Sequence, residues 1–263
     1  MWRELSLKAR FFFVVFACLC ILLTVIAFLP ASWLGSILEK QTNGRVSLGD
    51  VQGSFWQGSA FIGVAADQKS AVTALFPGRF SWKISPKLLL GQIDVEISNN
   101  DVLTAPVQVS GSFTQWRLSP ASLRLPPERL EGLGAPLNTI GPSGKIWLRW
   151  DGIEMTRVDG QLQVTGRAEL ELNDMASRAS LIKPLGSYVL SFQLMGQTSN
   201  MVLTTSRGPM MLEGSGSLSN GKFQFSGKAY AQVGQEEKLA NLLNLLGRRR
   251  QEGDKQIIAL EYR

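Results

Sequence analysis

The stretch Val158 to Leu172, VDGQLQVTGRAELEL, decides how the rest of the chain is read. Leu162, Val164, Ala168, Leu170 and Leu172 alternate with Gln161, Gln163, Thr165, Arg167, Glu169 and Glu171. Successive side chains of a strand point to opposite faces, so this period of two predicts a strand with one apolar and one solvated face. Tyr188, Leu190, Phe192 and Leu194 repeat the pattern, as do Ile93, Val95 and Ile97 set against Gln92, Asp94 and Glu96.

Working outward, the same reasoning predicts strands over Arg45–Phe55, interrupted near Gly49-Asp50, and over Ser59–Ala66 after a turn at Trp56-Gln57-Gly58. Further strands are expected at Arg79–Ile84, Gln92–Ser98, Val107–Trp116, Ala121–Leu125 and Lys145–Trp150. Pro86 ends one of them, and Leu88-Leu89-Leu90-Gly91 reads as an apolar corner. Met201–Ser206, Met210–Leu218 and Phe223–Tyr230 follow, separated by turns at Arg207-Gly208-Pro209 and Ser219-Asn220-Gly221, and Lys255–Tyr262 is a final strand. Asn-Gly marks a hairpin because both positions accept positive φ. Residues 132–144, GLGAPLNTIGPSG, are rich in Gly and Pro and are expected to separate two halves of the sheet.

Helical spacing is rare. Trp33–Gln41 places Leu34, Ile37 and Leu38 on one face and reads either as a membrane-surface helix or as a linker helix packed on the domain. Glu236–Leu246 places Leu239, Leu242, Leu243 and Leu246 on one stripe, with Glu236 and Glu237 at its positive end. Arg248, Arg249 and Arg250 follow Gly247 at its negative end, as a helix terminus in solvent or a contact patch for an acidic partner. The predicted fold is therefore mainly β: a long, curved antiparallel sheet, sandwich or open barrel-like, with a short C-terminal amphipathic helix. A strongly twisted sheet of about ten or more strands tends to curl. Its apolar face must close on itself, meet a second sheet, or remain as a groove.

The N-terminus adds one further element. Phe11-Phe12-Phe13-Val14-Val15-Phe16-Ala17-Cys18-Leu19-Cys20-Ile21-Leu22-Leu23-Thr24-Val25-Ile26-Ala27-Phe28-Leu29 contains no charge, no Gly and no Pro. As a helix it would extend about 28 Å, close to the hydrocarbon thickness of a bilayer, and a helix satisfies its own backbone there. Arg3, Lys8 and Arg10 precede it against Glu4, so the expected orientation leaves the N-terminus in the cytoplasm and the bulk of the chain periplasmic. A cleaved signal peptide fits less well, because Leu29-Pro30-Ala31-Ser32-Trp33 lacks an Ala-x-Ala site. A lipoprotein signal at Cys18 would put the bulky Phe16 two residues before the cysteine. The expected division is residues 1–30 as cytoplasmic tip and anchor and 31–263 as a periplasmic β domain.

Composition removes most chemistry. The 263 residues include no histidine, and both cysteines, Cys18 and Cys20, lie in the apolar stretch. Histidine-based triads, histidine metal sites and thiolate zinc sites outside that stretch are excluded. No Gly-x-Ser-x-Gly or Gly-rich phosphate loop occurs. Ser180-Leu181-Ile182-Lys183 matches Ser-x-x-Lys without a companion motif, and the pairs Asp94/Glu96 and Glu169/Glu171 read as solvated strand faces. Trp56, Trp82, Trp116, Trp147 and Trp150 are expected mostly in the core. The net charge of +6 is dispersed outside Arg248–Arg250, which speaks for solubility or an acidic partner and against nucleic acid. No cofactor, metal or catalytic residue is expected.

A string of short features in order resembles the type II secretion system protein N family, the general secretion pathway protein N. They are the N-terminal anchor ending in Leu-Pro, Val51-Gln52-Gly53-Ser54-Phe55-Trp56-Gln57-Gly58-Ser59-Ala60, and Trp82-x-Ile84-x-Pro86-x-x-Leu89-Leu90-Gly91. Gly144-Lys145-Ile146-Trp147-Leu148-Arg149-Trp150, Leu185-Gly186-Ser187-Tyr188 and Gly208-Pro209-Met210-Met211-Leu212-Glu213-Gly214-Ser215-Gly216 follow. Phe225-Ser226-Gly227-Lys228-Ala229 and the leucine helix ending Leu245-Leu246-Gly247 complete the string. The resemblance implies a non-enzymatic inner-membrane component of the apparatus that moves folded proteins across the outer membrane. Its partners would be other subunits, namely the inner-membrane platform and the secretin. The alternative is an AsmA-like periplasmic lipid-handling or envelope-biogenesis protein with an apolar groove.

Overall fold

The computed structural model describes residues 7–65, 70–134, 137–219, 221–252 and 255–262. Arg3, Glu4, Ala66 and Asn220, which entered the sequence reading, lie outside these residues. Helix α1 (Leu7–Ala27) ends before the apolar stretch does, so Phe28 and Leu29 already lead out of it. Its described side chains, 11–27, are all exposed except the half-buried Ile26. They extend about 25 Å along the axis. Among the described residues no helix is long and apolar enough to cross a membrane.

Helix α2 (Ser32–Gln41) packs on strand β1 (Val46–Gly53) through Gly35, which faces Leu48 and Val51. Leu34 and Leu38 are half-buried, but Ile37 and Trp33 stay exposed, so the expected apolar face is only partly used. The interruption foreseen near Gly49-Asp50 is a register shift between Gly49 and Gln52, with Asp50 at φ 46°.

All strands belong to one sheet and every pairing is antiparallel. β1 pairs with β2 (Gln57–Val64), whose other edge takes β3 (Thr73–Ala74) and β4 (Phe80–Ile84) end to end. β5 (Gln92–Ser98), β6 (Val107–Ser112) and β7 (Gln115–Leu118) continue the meander. β8 (Ala121–Leu125) then pairs with β9 (Pro142–Trp150), and β7 with β10 (Ile153–Val158). The pairs Leu125–Ile146, Ala121–Trp150, Leu118–Ile153 and Gln115–Thr156 stay in step. β7–β8 and β9–β10 are thus two long strands, each bent where Pro120 or Gly152 falls. At the second bend Gly166 has φ 149°, and a Cβ there would press on the Gly152 carbonyl and on Ile153. β11 (Gln161–Ser177) lies against both β9 and β10, and β12 (Gly186–Gly196), β13 (Thr198–Arg207), β14 (Met210–Ser219) and β15 (Lys222–Ala231) come next in sequence order.

The chain then forms helix α4 (Glu236–Leu246), after a short α3 (Leu137–Ile140) earlier, and closes with β16 (Arg248–Glu252) and β17 (Lys255–Tyr262). β17 inserts between β15 and β16, so β1 and β16 are the outer strands and the sheet is not closed. One open sheet replaces the sandwich alternative.

Beyond shifts of two or three residues at strand ends, such as β9 beginning at Pro142, β13 at Thr198 and β2 at Gln57 inside the expected turn, three elements differ in kind from the sequence reading. Val107–Trp116 is two strands, turning at Phe113-Thr114. Val158–Leu172 contains a hairpin, because Asp159 (φ 50°) and Gly160 (φ 78°) form the two-residue turn with positive φ that an Asp-Gly pair favours, and β11 runs on to Ser177. Arg248–Arg250 is the edge strand β16, not the frayed end of α4.

The apolar alternation lines up across strands. Leu123, Leu148, Leu170, Leu190, Leu203, Gly214, Gly227 and Leu260 are successive cross-strand partners. The Phe225 ring lies over these glycines, so close that a Cβ on Gly214 would sit 2.6 Å from Cζ. Most residues of this row are only half-buried.

Full burial is concentrated at one end of the sheet. There α4 lays Leu239, Leu242 and Leu243 on Leu185, Met210, Ala229 and Ile258. Tyr188 donates its hydroxyl to the Met210 carbonyl (3.0 Å), and burial raises its phenol above the ordinary value. Gly208, at φ 124°, passes so near Gly186 that a Cβ would fall 2.3 Å from its Cα. The segments Leu185–Tyr188 and Gly208–Met210 are therefore one packed constellation. The connecting segments at 99–106, 126–134, 137–141 and 178–185 belong to this capped end. The hairpin turns at 54–56, 85–91, 113–114, 159–160 and 196–197 form the opposite, tip end.

Candidate functional site

The residues tested for chemistry are occupied in local structure. Ser180 Oγ accepts from Ile182 N (3.1 Å) and donates to the Ile182 carbonyl (3.2 Å), while Lys183 is exposed. Its hydroxyl belongs to a turn rather than to a dyad. Among the carboxylates, Glu96 accepts from Gln108 (2.8 Å), Asp94 lies 3.9 Å from Lys87 and Glu171 pairs with Arg149. These are cross-strand and neighbour contacts of a solvated face. No group of three His, Cys, Asp or Glu capable of holding a metal occurs among the described residues.

The tryptophans depart from the expectation of core. Trp56, Trp82, Trp116, Trp147 and Trp150 are all half-buried. Three act as ties, because an indole buries its body and still donates its N–H. Trp56 Nε1 donates to the Ile26 carbonyl (2.7 Å), Trp82 to Phe55 (3.0 Å) and Trp150 to Ser119 (2.8 Å). The first, with Phe55 N donating to the Leu29 carbonyl (2.8 Å) and a bridge between Pro30 and Ser54, fastens the end of α1 to the first hairpin tip.

Sequence reasoning did not single out Arg79. Its guanidinium reaches Asp50 Oδ2 and the Asp50 carbonyl (both 2.5 Å) and the Ser59 carbonyl (3.1 Å), and it stacks 4.8 Å from the Phe61 ring. Together with Gln52 it holds the Asp50 carboxyl below its ordinary value. This clamp braces the bulge of β1. No short motif announces it, since Arg79 and Asp50 meet only through pairing across β2.

The C-terminal edge is the best candidate for an interaction site. Among the described residues β16 pairs only with β17, which leaves its outer edge open. Arg249 Nε donates to Asn244 Oδ1 (2.6 Å) on α4, whereas Arg250 faces Glu261 (3.4 Å). Alternation thus sends Arg249 and Arg250 to opposite faces. Arg249 joins Met211, Tyr230, Leu243, Ile257 and Ile258 around a cleft of about 780 Å³ between α4 and the strands. Charged side chains on an exposed edge discourage pairing with a second copy while leaving backbone donors and acceptors for a complementary strand.

Large apolar side chains also stand exposed at the tip end, among them Leu89, Leu90, Phe113, Val158, Leu162, Met195 and Phe223. The apolar corner at Leu88–Leu90 was legible in the sequence, but its exposure was not.

The type II secretion system (T2SS), protein N family model matches residues 44–257, which is most of the chain and all of the sheet as far as β17. No curated protein and no solved structure matches. That span includes the bulge clamp, both bent strand pairs, the Leu185–Tyr188 and Gly208–Met210 constellation, and the arginine edge. The chain belongs to the type II secretion system protein N family.

Proposed function

We propose that this chain is a non-enzymatic, single-pass inner-membrane component of the type II secretion apparatus, with its N-terminus cytoplasmic and its β domain periplasmic. Residues 11–29 serve as the anchor, and 31–263 act as one periplasmic unit despite the Gly- and Pro-rich segment at 132–144. The domain supports export of folded proteins by contacting other subunits, the inner-membrane platform and the secretin. The observation that carries this reading is the free outer edge of β16, among the described residues, on a member of this secretion family. Addition of a partner strand at such an edge supplies main-chain hydrogen bonds, and an acidic side chain on either face of that strand would meet Arg249 or Arg250. Mild crosslinking in native membranes from a photoreactive residue at Arg250, followed by pull-down, tests it. Recovery of platform or secretin subunits is expected. Recovery of envelope-biogenesis proteins without secretion subunits refutes it.

A second reading rests on the half-buried apolar row from Leu123 to Leu260 on an unclosed sheet. Such a face could shield an acyl chain, as in an AsmA-like lipid-handling protein. Lipid retained by the purified chain after detergent exchange would favour it, and a lipid-free preparation that still engages secretion subunits would end it.

A further inference from the structure

Leu89, Leu90, Phe113, Met195, Phe223 and Tyr262 come from five different strand connections or ends, yet the pairing brings all of them to the tip end of the sheet. All six are exposed, Leu90 at 82%. At the other end α4 and the long loops cover the sheet itself, although Leu181 and Val233 on those connections stay exposed. The tip end is also where the apolar helix joins the domain, through the Trp56–Ile26, Phe55–Leu29 and Ser54–Pro30 contacts. Trp33 and Ile37, one helical turn apart, are exposed on α2 immediately after that junction. Lys87 and Lys222 stand beside the apolar tips and are exposed.

We propose that the tip end of the sheet itself rests in the interfacial layer of the lipid bilayer, as a second membrane contact separate from the helix. Apolar and aromatic side chains at the headgroup boundary, with lysines reaching toward anionic phosphates, are the composition such a layer selects. A protein partner is less well matched, because the residues come from successive hairpins along an edge row rather than from one compact patch. The proposal rests on the anchored reading above and fixes which end of the domain faces the membrane.

The test uses the full chain with Cys18→Ser and Cys20→Ser, reconstituted into phosphatidylethanolamine–phosphatidylglycerol vesicles whose acyl chains carry bromine. An environment-sensitive fluorophore is placed singly at Leu90→Cys, Phe113→Cys or Met195→Cys at the tips. Leu181→Cys and Val233→Cys serve as exposed positions at the capped end, and Leu22→Cys reports the anchor. Tip labels should lose roughly twofold or more of their fluorescence, as expected for groups within about 5–10 Å of the headgroup boundary, while capped-end labels keep theirs. Quenching at Leu22 without quenching at the tips overturns the proposal and leaves the anchor intact. Quenching at the tips without quenching at Leu22 supports the proposal and refutes the anchor. Equal quenching at both ends, or none at any position, overturns it.

Discussion

The two ends of this sheet are made of the same strands and carry the same alternation, yet they meet different fates. At the capped end, Leu239 and Ala229 are completely excluded from solvent, with Leu242 and Ile258 close behind. At the tip end, Leu90, Phe113 and Tyr262 stay largely exposed. The difference lies in the connections that join the strands at each end. Long connections and α4 return over the capped end and bury a core there, with Leu181 and Val233 left exposed on the connections themselves, whereas the hairpin turns at the tips leave Leu90 and Phe113 without cover. An apolar face is thus only an offer of burial. Packing partners supplied by distant sequence decide whether water is removed from it.

The sharpest way to break the comparison is to strip the capped end. Leu243→Asp would place a carboxylate among Leu239, Leu242 and Ile258, and limited proteolysis should then release the segment from Glu236 onward; unchanged protection would mean that α4 does not hold that end. Leu239→Ala is the graded version, expected to cost about 2–5 kcal/mol in denaturant unfolding because a buried leucine leaves a cavity. Next comes Tyr188→Phe, which leaves the Met210 carbonyl without its donor and should cost about 1–3 kcal/mol. By contrast Phe113→Ser, at the tip end, should change unfolding by no more than about 0.5 kcal/mol, since its side chain is already in solvent. A large loss there would mean the tips are packed after all.

The smallest effect belongs to the β1 clamp. Arg79 lowers the Asp50 carboxyl in the folded state relative to its unfolded value near 3.8. Its contribution is therefore present above that value and disappears as pH falls through the lowered folded value. Asp50→Asn should give a slight destabilisation that is constant at neutral pH and vanishes in acid. A difference that grows in acid would contradict the clamp.

Much of the sheet was legible because period-two patterning depends only on local alternation. Gln92–Ser98, Glu236–Leu246 and Lys255–Tyr262 have the boundaries their patterns predict. Errors fell where a turn has no apolar mark. Asp159-Gly160 interrupts no alternation, so two strands read as one, and Phe113-Thr114 hides a reversal behind an aromatic residue. Arg248–Arg250 read as a helix end because its strand partner, Ile257–Ala259, comes later in the chain and only pairing shows its role. The tryptophans were misread for a related reason. Strand propensity speaks for burial, but an open sheet leaves one side of each indole uncovered, and three of their N–H groups serve backbone carbonyls instead.

By itself, the sequence determined the antiparallel character of the chain, the α4 stripe, the apolar N-terminal stretch, and the absence of histidine and thiolate chemistry from the β region. All of these come from residue type and short-range period. Only the tertiary structure decided that the sheet stays open, that the apolar row runs unbroken from Leu123 to Leu260, and that burial collects at one end while apolar tips gather at the other. Those features depend on which distant strands pair and on where the connecting segments come to rest, and no local pattern encodes that.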